Sequence, residues 1–304
     1  MMHALADAAV LASDATLVGR YRGVFGESAV WSAEDNGVWW VDLHGHAVVL
    51  TRWDGATRSW KTPGPHLPWA RAVVLRERGG LIVALSDTLA SFDPASGTFA
   101  TLPLHLTLST GHLFNDATVD PAGRLIIGTM LPGRGNDGRA MIYAVDADLS
   151  VTVLVDGLNT VNGLAFSPDG GTLYYSDSFA EVRRIWAASY DAAAGQVGEA
   201  RLFVDFAGLP GKPDGAAIDA EGGYWSAAVT SRYLHRFTPD GRFDLSLELP
   251  LDMPTRPAFG GPDLRTLYLT TAGPRAGEID DGVRGGLLSM VAPVAGLPIR
   301  ATKL

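Results

Sequence analysis

The chain contains no cysteine. Disulfide bridges, thiol nucleophiles and thiolate metal sites are therefore excluded, although this absence says little about compartment. It has no run of about 18 apolar residues, which excludes an apolar membrane-spanning helix. A dense Lys or Arg run is also missing. With 24 basic against 33 acidic residues the net charge is −9, so neither nucleic acid nor an anionic membrane is expected as a partner. No segment sustains the apolar i, i+3, i+4, i+7 spacing of a long helix, and the first dozen residues are where a small helical exception is expected. No basic segment precedes the mild apolar stretch of MMHALADAAVLASDATLVGRY. A signal peptide is thus not expected, and the expected location is cytoplasmic. The sequence lacks G-x-S-x-G, H-E-x-x-H, a P-loop and an N-glycosylation sequon. GRGNDG at 133–138 has the spacing G-x-G-x-x-G, but it leads into strand-like AMIYAVD rather than a helix and reads as a loop.

What is present is a globular composition, 47% hydrophobic and 19% charged, with 36 glycines and 18 prolines spread between short apolar runs. Six segments share one pattern, a polar turn followed by an apolar strand that ends in a small or acidic residue. They are SAEDNGVWWVDL, RERGGLIVALSD, DPAGRLIIGTM, SPDGGTLYYSDS, DAEGGYWSAAV and GPDLRTLYLTTAG. Counted from Gly37, Gly80, Gly123, Gly170, Gly222 and Leu264, the intervals are 43, 43, 47, 52 and 42 residues. That period predicts an all-β, six-bladed propeller of four antiparallel strands per blade, in a single domain over 1–304. Strand-like ATLVGRY and GLLSMVAP are expected to share one blade and close the ring, which removes exposed edges.

Aligned on their turns, the repeats place oxygen-bearing residues in phase. Asn115, Asn162 and Asp214 each stand eight residues before the turn glycine, and Glu27 stands ten before Gly37. The matching positions in the other two copies fall near Ala72 and Arg256. Equivalent positions in a propeller share radius and height, so these side chains are expected at one mouth of the central channel. Each has a plainer reading alone: Glu27 as a solvated loop acid, Asn115 and Asn162 as turn formers, Asp214 as half of an Asp-Gly turn. Their common phase across repeats of unequal length favours the site. Clustered carboxylates repel unless a proton or cation intervenes. Hard oxygen donors without His or Cys suit calcium, magnesium or manganese, with zinc or ferrous iron less natural.

These segments, GESAVWSAEDNGVWWVDL, FNDATVDPAGRLIIGTM, VNGLAFSPDGGTLYYSDS, PDGAAIDAEGGYW and RPAFGGPDLRTLYLTTA, resemble in order those of the senescence-marker-protein/gluconolactonase/regucalcin family of six-bladed propellers. The resemblance runs from about residue 20 to residue 300. It implies one divalent metal, calcium first, held by Glu27, Asn162 and Asp214, with Asn115 beside it contacting substrate. It also implies hydrolysis of a small, sugar-derived lactone, with Asp214 as general base while holding the metal. Other relatives of this kind open phosphotriesters, which is the alternative activity; a non-catalytic metal-binding propeller is a third.

The family pattern is not fully kept. Where an Arg usually stands two residues before the Asn of the FND segment, this chain has Leu113, and no Glu follows GTM in the loop LPGRGNDGR. Arg134, Arg139 and Arg232 are the candidate replacement donors, with Leu113 and Arg134 taken as substrate-facing. His66, His105 and His112 could rim the channel but read as structural or solvated. Trp53, Trp60 and Trp69 sit near turns and could line a pocket. A monomer or weak homo-oligomer is expected.

Overall fold

The computed structural model describes residues 9–63, 69–133, 136–274, 278 and 282–304. Each repeat turn pivots on a residue in the left-handed region: Asn36 (φ 50°), Gly80 (70°), Gly123 (89°), Gly170 (75°), Gly222 (80°) and Leu264 (55°). Glycine and asparagine tolerate that conformation, and Leu264 is the exception that carries strain. The strand after the turn is apolar without alternation. Every residue of Gly37–Asp42 and of Tyr224–Val229 is buried, because each sheet is covered on both faces by neighbouring sheets. The outermost strands are largely exposed, as in Gln196–Asp205.

The sheets form six blades around a channel. The inner strands are Gly26–Ser32, Ala70–Leu75, Leu113–Val119, Val161–Phe166, Lys212–Ile218 and Pro254–Gly260, which define blades 1 to 6. Within a blade the chain runs outward through antiparallel strands. Blade 6 is closed as expected, with Thr16–Val18 antiparallel to Leu287–Val291. Blade 5 has a fifth strand, Ala9–Ala12, running parallel to Phe243–Glu248. The helical exception expected in the first dozen residues is therefore not found at residues 9–12, where the chain adds to a free sheet edge. No helix occurs among the described residues.

The core lies between blades. Trp39, Val48 and Leu50 of blade 1 pack with Val73, Val83 and Phe92 of blade 2. Trp31 stacks on Tyr268 at 5.5 Å between blades 1 and 6. A buried aromatic ring of about 200 Å² contributes about 5 kcal/mol before entropy is deducted. The turn acids satisfy the indole donors of this core: Trp39 Nε1 donates to Asp35 at 2.7 Å and Trp225 Nε1 to Asp219 at 2.7 Å. Trp60 belongs to the same core, 5.4 Å from Trp39, whereas Trp53 is 64% exposed on the turn face.

The C-terminal segment crosses the turn face. Thr302 N–H donates to Leu75 O, Lys303 N–H to Gly123 O and Gly296 N–H to Leu264 O, so the tail ties blades 2, 3 and 6 together. Gly296 lies so close that a Cβ there would sit 2.1 Å from Phe259. Leu297, Pro298, Ile299 and Arg300 line the end of the channel cavity. The tail thereby crosses the turn-face end of the channel, and the mouth where the inner strands begin is the opposite end.

Candidate active site

All six inner strands break register near their first residues, at Glu27/Val30, Ala70/Ala72, Phe114/Ala117, Asn162/Ala165, Pro213/Ala216 and Pro254/Arg256. A bulge releases a residue from the ladder and re-aims its side chain. Arg71, Asn115, Asp116 and Asp214 are among the residues so released, whereas Glu27 and Asn162 keep their partners Val41 and Ser176 and stand immediately before the break. Ser28 (φ 55°) and Gly163 (φ 63°) supply the left-handed backbone at two of the bulges. Gly163 is held further by Tyr224, whose hydroxyl donates to its carbonyl at 2.8 Å. A Cβ at 163 would lie 2.3 Å from that hydroxyl oxygen. Asn162-Gly163 is thus a bulge inside a buried strand rather than a turn. Asp214-Gly215 is likewise inside a strand, and Gly215 leaves room for the Arg256 side chain, whose Cδ would stand 2.4 Å from a Cβ.

A contact shared by three blades fixes the segments leading to Glu27, Asn162 and Arg71. Asp42, at the end of the second strand of blade 1, accepts the N–H groups of Val24 (3.0 Å) and Phe25 (3.1 Å). Asp177 of blade 4 accepts those of Asn159 (2.9 Å) and Thr160 (3.1 Å). In blade 2, Ser86 Oγ accepts the Trp69 N–H at 3.1 Å. The last donor in each case stands two residues before Glu27, Asn162 or Arg71. In these three blades a small or acidic residue at the end of the second strand therefore positions the mouth.

The structure brings Glu27, Asn115, Asn162 and Asp214 together. A belt of hydrogen bonds runs between them. Arg71 Nη2 donates to Asn115 Oδ1, Asn115 Nδ2 to Asn162 Oδ1 (2.9 Å) and Val161 O (2.8 Å), and Asn162 Nδ2 to Ser178 Oγ (3.0 Å). Ser178 in turn donates to Pro213 O. Asn162 is thereby oriented with its oxygen toward Asn115 and the mouth. Both amide hydrogens of Asn115 are engaged, which differs from the expectation of a free donor for substrate.

Glu27 and Asp214 repel each other in a site poor in water. Burial first, then Asp214 and Asp116, push the Glu27 carboxyl well above its usual range. Burial is also the main cause that raises Asp214, opposed by Lys212. Behind them Asp116 pairs with Arg256 and accepts the Leu164 N–H at 2.8 Å. Neither Asp116 nor its pairing was visible in the repeat pattern.

Two carboxylates and one oriented amide oxygen form a hard-oxygen set, whose carboxyls are raised chiefly by burial. These residues fit a divalent cation whose shell is completed by water. Among the described residues no grouping of three or more His, Cys, Asp or Glu side chains is present, so the set is an incomplete cage.

The remaining candidates fall elsewhere. Leu113 opens blade 3 opposite Met130 and is half-buried. Arg134 and His66 lie outside the described residues. Arg139 is held by Asp137 at 2.9 Å, and Arg232 turns to Leu249 O at 3.0 Å, so neither serves the mouth. His105 is exposed, and buried His112 faces Asp137 at 3.2 Å. Trp69 does border the mouth, 5.2 Å from His44. The cation that reaches the site is Arg71. The phase had pointed to Ala72 because it was counted from Gly80; Gly79 is the glycine whose bond to Arg76 O matches those of Gly123, Gly170 and Gly222, and eight residues before it is Arg71.

Residues 25–273 match the family model described as the SMP-30/Gluconolactonase/LRE-like region. The chain is 37% identical to a 6-deoxy-6-sulfogluconolactonase of Pseudomonas putida over 84% of its length and 86% of that protein. It is 31% identical to a pentonolactonase of Haloferax volcanii, over 90% and 92%. The crystal structure of regucalcin, a calcium-binding protein from Agrobacterium tumefaciens, superposes with a TM-score of 0.86 at 27% identity, covering 98% of this chain and 100% of that one. The chain belongs to the SMP-30/gluconolactonase/LRE-like family.

Proposed function

We propose that the protein is a metal-dependent hydrolase that opens a small, sugar-derived lactone to its hydroxy acid. The observation that carries this reading is the convergence of Glu27, Asn162 and Asp214 at the strand-entry end of the channel, with the C-terminal segment lying across the other end. The lactonase relatives support the substrate class, and the calcium-binding neighbour supports calcium as the cation. When bound, the cation supplies Lewis-acid polarisation of the ester carbonyl.

The rest falls to the chain. Glu27 and Asp214 balance the cation's charge, and the belt from Asn115 through Ser178 holds the Asn162 oxygen in place. Asp214 takes the proton of the attacking water through a carboxylate oxygen, a role that Gly215 permits by keeping Arg256 packed behind it. Asp116 and Arg256 neutralise each other beneath the site and close it from the channel below. Asn115 acts by orienting Asn162. Leu113 offers methyl groups where a hydroxyl-binding donor would stand, which weakens discrimination for a hydroxyl-rich ring. Gluconolactone is accordingly a weak substrate beside a lactone that is less hydroxylated, differently sized or anionic. A panel of aldono-1,4- and 1,5-lactones, acyl lactones and phosphotriesters, assayed with and without chelator, tests the reading. Chelator-sensitive turnover of a lactone is expected. Turnover confined to phosphotriesters, or none at all, contradicts it.

A further inference from the structure

A guanidinium that no acid pairs with stands at the mouth. Arg71 is 5% exposed. Its Nε donates to Phe114 O at 2.8 Å, and Nη2 engages Asn115 Oδ1 and Met130 Sδ (2.9 Å). Among the described residues Nη1 has no protein acceptor, and it is not sealed from solvent. Other buried arginines have acids in contact: Arg256 has Asp116, and Arg236 has Asp219 and Asp244. No carboxylate of the described residues comes within ion-pair distance of Arg71. A buried charge needs a partner, and one that lacks it in the free protein is completed by a ligand.

Three observations say which ligand. Glu27 and Asp214 favour the Arg71 charge through space, whereas burial lowers its pKa to about 10. Those two carboxylates are the cation's ligands, so with a divalent cation in place the charge of Arg71 is left uncompensated. The ligand it calls for is negative. Secondly, Arg71 comes from blade 2 and Asp214 from blade 5, opposite positions in the ring. A group on Nη1 therefore lies across the mouth from the residue that activates water, on a remote part of the substrate rather than at the reacting carbonyl. Thirdly, Trp69 lies 5.7 Å from the guanidinium, and His44 and Phe25 continue an aromatic rim from it. His44 has its pKa lowered by burial and by Arg71, so it adds no competing positive charge at neutral pH. An apolar wall strengthens a charge-assisted hydrogen bond beside it.

We propose that Arg71 determines specificity by binding, through Nη1, an anionic substituent of the lactone: a sulfonate, phosphate or carboxylate carried away from the ester. The proposal rests on the lactonase reading of the site.

The test compares glucono-1,5-lactone with the same ring bearing a 6-phosphate or a 6-sulfonate, on calcium-loaded wild type, Arg71→Gln and Arg71→Lys. The ratio of kcat/KM, charged over neutral lactone, should fall about 10- to 100-fold in Arg71→Gln, mostly through KM, and less in Arg71→Lys. An unchanged ratio overturns the proposal. So does an equal loss on both lactones, which signifies a role at the reacting carbonyl or in the fold. Calorimetry of 6-phosphogluconate and gluconate with the same proteins separates the two readings. If no lactone is hydrolysed while phosphate-dependent binding is lost in Arg71→Gln, the lactonase reading fails and the anion subsite stands. If lactones are hydrolysed and 6-phosphogluconate binds no better than gluconate, the subsite fails alone. Should Arg71→Gln not fold, Arg71→Lys carries the same comparison.

Discussion

Asp214 is asked to do two things at once, hold a cation and receive a proton. The variant that separates them is Asp214→Asn, whose amide oxygen can still coordinate. Turnover should fall by about 100-fold or more while calorimetry still finds a cation bound; near-normal turnover would leave Asp214 as a ligand only. Glu27→Gln should weaken calcium binding at least about tenfold, because a neutral amide neither balances the charge nor binds in two-oxygen fashion. The raised carboxyls add a pH dependence. Glu27 is pushed well above its usual range and Asp214 to about 7. Their folded values exceed the unfolded ones, so the metal-free protein is favoured below about pH 4 and loses that contribution as pH rises toward neutrality. On the proposed reading, bound calcium offsets the loss. The melting temperature gap between calcium-loaded and chelated protein should therefore widen from pH 5 to pH 8, and a constant gap would show that these carboxyls are not the ligands.

The residues that converge at the mouth were legible because each copy of the repeat carries its own ruler, the distance to a turn residue. Arg71 was not, since the ruler in its copy was set on Gly80, whereas Gly79 is the glycine whose N–H donates to Arg76 O as those of Gly123, Gly170 and Gly222 donate to Asp120, Ser167 and Asp219, and eight residues before Gly79 is Arg71. Asp116 was hidden for another reason. It follows Asn115 in FND, and only the folded bulge shows that successive residues there point at different parts of the mouth.

At the scale of the strand, the bulge and the contact that precedes it form one device. Gly163→Ala would place a Cβ 2.3 Å from the Tyr224 hydroxyl oxygen at a residue with φ of 63°. A loss of about 1–3 kcal/mol in unfolding free energy is expected, with weakened calcium binding because Asn162 is displaced. Asp177→Ala orphans the N–H groups of Asn159, Thr160 and Phe179, three donors within 3.1 Å of that carboxylate. Denaturant unfolding should show a cost of about 1–3 kcal/mol, and more if water cannot replace the acid. Neutral results for both variants would mean that the mouth residues are positioned by other contacts. The sequence marked the ends of these strands as small or acidic. It did not reveal their partners, because the accepting and donating groups are about 18 residues apart and the donors are backbone.

For the whole molecule, ring closure and the covered turn face decide what the channel can be. Closure by Thr16–Val18 was readable from two strand-like termini flanking six repeats. The parallel strand Ala9–Ala12 was not, since four residues carry too little pattern to separate a strand from a helical turn. Deleting residues 1–18 should expose the edge Leu287–Val291 and lower the melting temperature by several degrees, with aggregation on heating; an unchanged melt would mean that blade 6 is stable with three strands. The path of the C-terminal tail across blades 2, 3 and 6 left no periodic trace, yet it covers the end of the channel opposite the site. The account as a whole stands on a cation at that site. Its most direct test is the initial rate of lactone opening, followed by proton release, for protein stripped with chelator and then titrated with calcium. The rate should vanish on stripping and return in full near one equivalent of calcium for wild type but not for Asp214→Asn. Full activity in the stripped protein, confirmed metal-free by elemental analysis, would contradict the account.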